Sequence, residues 1–196
     1  ISDKASVAAL QKAHDAGIKV ITFDSEVKAE FPACGIKSDQ LSLGATTGDE
    51  AVKYIQQKMG GKANVAIISY MALAPEPASK RTNGFKDKIK ALPGVKIVAE
   101  QDAWMADKAV NVVDGILTAN PQVDLIWAAN EGGTVGAVTA VRGAGRAGKT
   151  VVFGTDVSGQ MCDFLLAPDN ILQAVTGQKP FDIGQSAIET AVKVAK

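Results

Sequence analysis

Short runs of apolar, β-branched residues alternate along this chain with longer stretches in which apolar side chains return every three or four positions. Val7, Leu10 and Ala13 keep helical spacing over 6–16, and Gly17 stands where a helix C-cap belongs. The β-rich run Ile18 to Phe23 follows, then a short strand at 33–36 and a helix from 41 to 59 closed by Gly60 and Gly61. A strand at 65–69 leads into a Pro-rich loop carrying Pro75 and Pro77, with a helix beyond it to about 91. The pattern then repeats: strand 95–99 and helix 107–119, strand 125–129 and a helix from 131, strand 150–153 and helix 158–166, strand 171–175 and a last helix over 181–194. Strands separated by helices of this length need crossover connections, so the strands are parallel and helices cover both faces. The fold class is α/β, doubly wound.

Composition narrows this reading. With 196 residues, 46% of them apolar, the chain is long enough to bury a genuine core. Basic and acidic residues balance at 21 each, which argues against a nucleic acid or an anionic membrane held by a general field. No apolar run reaches the ~18–20 residues a bilayer crossing requires. Ile1-Ser2-Asp3-Lys4 leads straight into a helical pattern rather than a signal peptide, which leaves the compartment open. His14 is the only histidine, so a zinc cluster or a His-based triad has almost nothing to be built from, and no metal or cofactor is expected. His14 itself reads as a solvated surface residue. Cys34 and Cys162 lie far apart, and either a disulfide or two small buried thiols fits them. The glycines of 142–148 precede a strand rather than follow one, the wrong order for a phosphate loop.

Ligands of doubly wound sheets lie beyond the carboxyl ends of the strands. The residues there are Asp24-Ser25, Tyr70 to Lys80, Gln101 to Trp104, Asn130-Glu131, Asp156 and 176–178, with Arg81 just past the Pro-rich loop. Carboxylates, amides, a guanidinium and an aromatic face match a sugar, whose hydroxyls donate and accept and whose C–H face is apolar. Each has a plainer reading: Asp24 as a turn former, Asn130 and Asp156 as N-caps of the helices that follow, Trp104 as a core residue like Trp127. Arg81, placed at the head of a helix whose dipole disfavours a cation, makes more sense as a fork onto neighbouring hydroxyls.

Several segments carry a family resemblance. Ala13-His-Asp-Ala-Gly17-Ile-Lys-Val-Ile-Thr-Phe-Asp24 resembles the AxxAGIPVVTxD segment of the periplasmic sugar-binding proteins, the type I solute receptors of ABC importers. Arg81 to Phe85 resembles their RxxGF motif, Ala129-Asn130-Glu131 their xND step with Glu for Asp, and Gly154-Thr-Asp156 their GxD. Gly177-Gln178-Lys-Pro180 with Ile183-Gly184 resembles QxPxxxG, and Ser38-Asp39-Gln40 the SDN step where the chain crosses between lobes.

The resemblance implies a two-lobe fold closing on a sugar. Residues 1–38 are expected in the first lobe, 39–177 in the second, and 178–196 returning to the first. It implies an incomplete first lobe, because the strand–helix units that open the family are absent and the chain stops after the family's penultimate helix. Asp24, Arg81, Asn130, Asp156 and Gln178 would hydrogen-bond a monosaccharide, with Trp104 against its face. Ser25 stands where ribose binders often carry a second arginine, which puts ribose itself in doubt. The implied protein is a monomeric receptor, periplasmic or lipid-anchored outside the cytoplasm, delivering its sugar to the membrane permease of an ABC importer. The runner-up is the effector core of a sugar-responsive repressor, which needs a helix-turn-helix that is not visible here. An enzyme would need a nucleophile with its base, or a metal cluster, and the sequence offers neither.

Overall fold

Alternate residues of the strands face opposite ways, and in the computed structural model, which describes residues 3–25 and 27–195, that alternation sorts them into two separate apolar cores. The chain divides into two compact units, residues 1–39 with 179–196, and residues 40–178.

The smaller unit holds α1 (Asp3–Asp15), β1 (Ile21–Phe23), β2 (Cys34–Ile36) and the last helix, α7 (Pro180–Ala195). β1 and β2 pair in parallel with Ile21 opposite Cys34 and Phe23 opposite Ile36, and α7 packs on both strands. Gly17 ends α1 at φ 82°, where a side chain would be strained. Little is buried here: Val20 and Ala187 are the buried apolar residues among those described, while Ile18, Phe23, Phe181 and Ile188 are exposed. His14 is exposed, its ring 5.5 Å from that of Phe31. Cys34 and Cys162 are free thiols in different units.

The larger unit runs α2 (Gln40–Lys58), β3 (Lys62–Ser69), α3 (Pro75–Ile89), β4 (Gly94–Asp102), α4 (Ala106–Ala119), β5 (Leu125–Ala128), α5 (Glu131–Gly143), β6 (Val151–Thr155), α6 (Gly159–Leu166) and β7 (Leu172–Thr176). Its sheet is all parallel in the order β4-β3-β5-β6-β7. Val65, Ile67, Leu125, Trp127, Val151 and Phe153 point to the α2–α3 side, where Trp127 stacks on Phe85 with centroids 4.5 Å apart. Ala66, Ile68, Ile126, Ala128 and Val152 point to the α4–α5–α6 side. Both faces are covered, as a doubly wound parallel sheet requires.

Several boundaries shift from the sequence reading, β3 beginning at Lys62 rather than 65 and β4 running to Asp102 rather than 99, and one shift bears on the site. α3 begins at Pro75, so the Pro-rich stretch is its first turn and Arg81 lies in its interior rather than at its head. The first-turn N–H groups of a helix have no acceptor, so prolines at 75 and 77 cost nothing there and preset φ. The dipole argument for Arg81 therefore lapses; what fixes this cation is burial at 4% exposure.

Candidate functional site

The chain winds outward from β3 to β4, then returns to the other side of β3 with β5, so its direction reverses between β3 and β5. In open α/β sheets that reversal opens a crevice at the carboxyl ends of the two strands. Tyr70 follows β3 and Ala129-Asn130 follow β5.

Arg81 sits at this point. Ala78, Arg81, Thr82, Phe85 and Ile89 form the buried stripe of α3, and the Phe85–Trp127 stack one turn further on clamps the helix to β5. The Arg81 Nη1 donates to the Ala129 carbonyl at 2.6 Å. Nε donates to Gln40 Oε1 at 2.9 Å, and Nη2 donates to the same oxygen. The guanidinium carbon lies 5.4 Å from the centroid of the Tyr70 ring, a cation–π distance. α2 and α3 reach this proximity because glycines line their crossing: a Cβ on Gly44 would stand 1.8 Å from the Arg81 carbonyl oxygen, and one on Gly84 2.1 Å from that of Leu41.

Asn130 is the N-cap of α5, its Oδ1 accepting from the Gly133 N–H at 3.3 Å, so the capping reading of this residue is correct as far as it goes. Its Nδ2 donates to the Trp104 carbonyl at 2.8 Å, tying the β5–α5 and β4–α4 loops together. Gly132 allows this approach, since a Cβ there would lie 2.2 Å from the Trp104 oxygen. The Trp104 side chain is 48% exposed, against 0% for Trp127, which disposes of the core reading for Trp104.

Asp156 follows β6 with φ 76°, a strained value for a residue bearing a side chain. It does not cap the helix after it; Ser158 does, accepting from Met161 N–H at 3.4 Å. The Asp156 carboxylate turns elsewhere, Oδ2 accepting from Glu131 N–H at the first turn of α5 (3.1 Å) and Oδ1 from Gln178 Nε2 (2.9 Å). Glu131 contributes its backbone here. Asp102 pins the β3–α3 loop by accepting from Met71 N–H at 3.0 Å and Ala72 N–H at 2.5 Å.

Arg81, Trp104, Asn130, Asp156 and Gln178 thus come from successive loops and one helix of a single unit, joined by direct or one-residue-removed hydrogen bonds. Asp24 belongs to the other unit, at the end of β1 with φ 63° and its N–H donating to Ile36. Both aspartates therefore occupy left-handed backbone immediately after a strand. Of the two residues flanking Arg81, Tyr70 stands in the post-strand stretch the pattern marks, whereas Gln40, 41 positions from its partner, escapes a pattern-based search, and the signal for its meeting Arg81 is the small residue on each helix at the crossing. No group of three or more His, Cys, Asp or Glu among the described residues is arranged to hold a metal ion. No helix among the described residues is long and apolar enough to cross a membrane.

The chain is 31% identical over 189 residues to the ribose import binding protein of Escherichia coli strain K12, covering 96% of this chain and 61% of that protein. The D-apiose import binding protein of Actinobacillus succinogenes is also 31% identical, with 96% and 59% covered. Among solved structures, an ABC transporter periplasmic solute-binding protein from Actinobacillus succinogenes 130z with bound D-allose superposes with a TM-score of 0.84 at 33% identity, over 95% of this chain and 65% of that one. The chain therefore spans about 60% of the length of the curated relatives it matches. The family model described as a periplasmic binding protein domain matches residues 1–196, and the chain belongs to that family.

Proposed function

We propose that this protein binds a monosaccharide through Arg81, Trp104, Asn130, Asp156 and Gln178, and that as a periplasmic receptor it delivers the sugar to the membrane permease of an ABC importer. The observation that carries this reading is the linked set of donors and acceptors at the carboxyl edge of the larger unit's sheet, beside an indole that is half exposed. Asp156 supplies acceptors only, Arg81 donors only, and the amides of Asn130 and Gln178 both, so vicinal hydroxyls that donate and accept at once find complementary partners. Trp104 offers an apolar face to the C–H side of a pyranose or furanose ring. Asp24 joins this set on its family resemblance. Relatives named for binding or importing ribose, allose and apiose point to the same ligand class. Nothing in the set forms or breaks a bond; the proposed work is recognition.

Calorimetric titration of the purified protein with D-allose, D-ribose and D-apiose tests the reading. Binding of at least one sugar is expected, with Arg81→Ala costing about 2–4 kcal/mol because a buried sugar hydroxyl loses a charged partner. Trp104→Ala is expected to cost about 1–3 kcal/mol. A protein that binds none of the three sugars, or an Arg81→Ala variant within threefold of the parent, overturns it.

A further inference from the structure

A buried charge normally faces an opposite one. Arg81 does not: its partners among the described residues are the Gln40 amide oxygen, the Ala129 carbonyl and the Tyr70 ring, all uncharged. A guanidinium has five N–H donors. Nε and Nη2 converge on one oxygen of Gln40, and Nη1 reaches Ala129.

We infer that Gln40 is a positioning residue of the binding site, holding the Arg81 guanidinium by its Nε–Nη2 edge so that one N–H on Nη1 and one on Nη2 remain to meet a ligand. The inference rests on reading Arg81 as a sugar contact. The side-chain chemistry fits the task. One side-chain carbonyl oxygen accepts both N–H groups and so fixes the guanidinium edge. The backbone fits as well. Gln40 is the first residue of α2, and Gly44 and Gly84 set the crossing that brings it against α3. Both partners are inside, Gln40 at 7% and Arg81 at 4% exposure, so water does not compete for the contact. A planar group held at two of its three nitrogens along one edge keeps a single orientation, which is what two-hydroxyl recognition requires.

The test compares Gln40→Leu, which removes the acceptor, with Gln40→Glu, which keeps one, by two readouts on the same protein. The first is the Nε–H resonance of Arg81 in a nitrogen-15 spectrum, assigned by its loss in Arg81→Lys. The second is the affinity for D-allose and D-ribose. The expected result is an Nε–H protected from solvent exchange in the parent and in Gln40→Glu and unprotected in Gln40→Leu. Sugar affinity should fall at least about tenfold in Gln40→Leu and less than about threefold in Gln40→Glu. Should Gln40→Leu fail to fold, Gln40→Ser, whose small side chain admits water, takes its place. An Nε–H as protected without the acceptor as with it, or equal weakening by both variants, overturns the inference. If the parent binds neither sugar, the proposed function fails, and the Nε–H signal still decides whether Gln40 holds Arg81.

Discussion

The two units of this chain are built from the same elements and differ in how much each buries. The larger unit has five parallel strands with a helical layer on each face, and residues such as Ile55, Val65, Ile67, Phe85, Ile116, Ile126 and Trp127 lose essentially all their exposure. The smaller has two three-residue strands with one face against α7, and leaves Phe23 63%, Phe181 78% and Ile188 69% exposed. What separates them is the number of strands available to sandwich between helices, and stability follows buried area rather than local pattern. The larger unit is also one continuous stretch, 40–178, whereas the smaller is assembled from the two ends of the chain.

The sharpest way to break this contrast is to remove an equivalent side chain from each. Phe85→Ala takes away a fully buried ring stacked on Trp127 and is expected to cost about 3–5 kcal/mol in urea denaturation. Phe181→Ala, on a ring mostly in solvent, is expected to change stability by no more than about 0.5 kcal/mol. Comparable losses at the two positions would mean that Phe181 is covered in solution.

A smaller effect sharpens the comparison at the level of the backbone. Gly84→Ala drives a methyl group to 2.1 Å from the Leu41 carbonyl oxygen, a contact with main chain that cannot rotate away. The helices must part, at about 1–3 kcal/mol, and the Arg81–Gln40 contact should loosen with them. Gly17→Ala meets no atom within 4 Å and costs only the left-handed conformation at φ 82°, about 1–2 kcal/mol. Only the first should alter sugar affinity. A Gly17→Ala protein with weakened binding, or a Gly84→Ala protein with intact binding, would sever the link between the α2–α3 crossing and the site.

Much of this organisation was legible in the sequence, and the reasons are local. Parallel strands buried on both faces read as continuous apolar runs, and Val65 to Ser69, Leu125 to Ala129 and Val151 to Phe153 are such runs. Residues after strands were identifiable as candidates because the topology places them, so Asn130 and Asp156 could be named before their partners were known. Chemistry that depends on distant pairing was not legible. The plainer reading of Asp156, a cap for the helix after it, does not hold: its carboxylate turns to α5 and Gln178, because the left-handed turn at 156 redirects the side chain. The start of α3 was missed because proline is a helix breaker everywhere except the first turn, and the sequence does not announce which case applies. Gln40 was noted only as part of the lobe-crossing step, since nothing local points across 41 residues to Arg81.

The smallest effects are electrostatic, and they too divide by unit. In the larger unit, Arg142 on α5 donates to Asp169 at 2.7 Å while its guanidinium carbon lies 5.1 Å from the Phe164 ring centroid. The hydrogen bond from Arg142 holds the Asp169 carboxyl below the usual carboxylate range, helped by the Ile171 N–H and opposed by desolvation. A carboxyl whose folded pKa lies below its unfolded one stabilises the protein above the unfolded value near 3.9, and the contribution disappears as pH falls through the folded value. Arg142 is 45% exposed, so solvent screening keeps the pair's contribution below about 1 kcal/mol at pH 7, and salt should reduce it further. In the smaller unit, Lys179 and Asp182 stand 3.8 Å apart at 83% and 62% exposure, too solvated for a measurable contribution. Asp169→Asn should therefore lower stability slightly at neutral pH and converge with the parent below the carboxylate range, while Asp182→Asn should change it less at neutral pH. Urea midpoints across pH 2–7 decide it. A loss at neutral pH in Asp182→Asn equal to that in Asp169→Asn would show that ion pairing ignores the difference in packing between the two units.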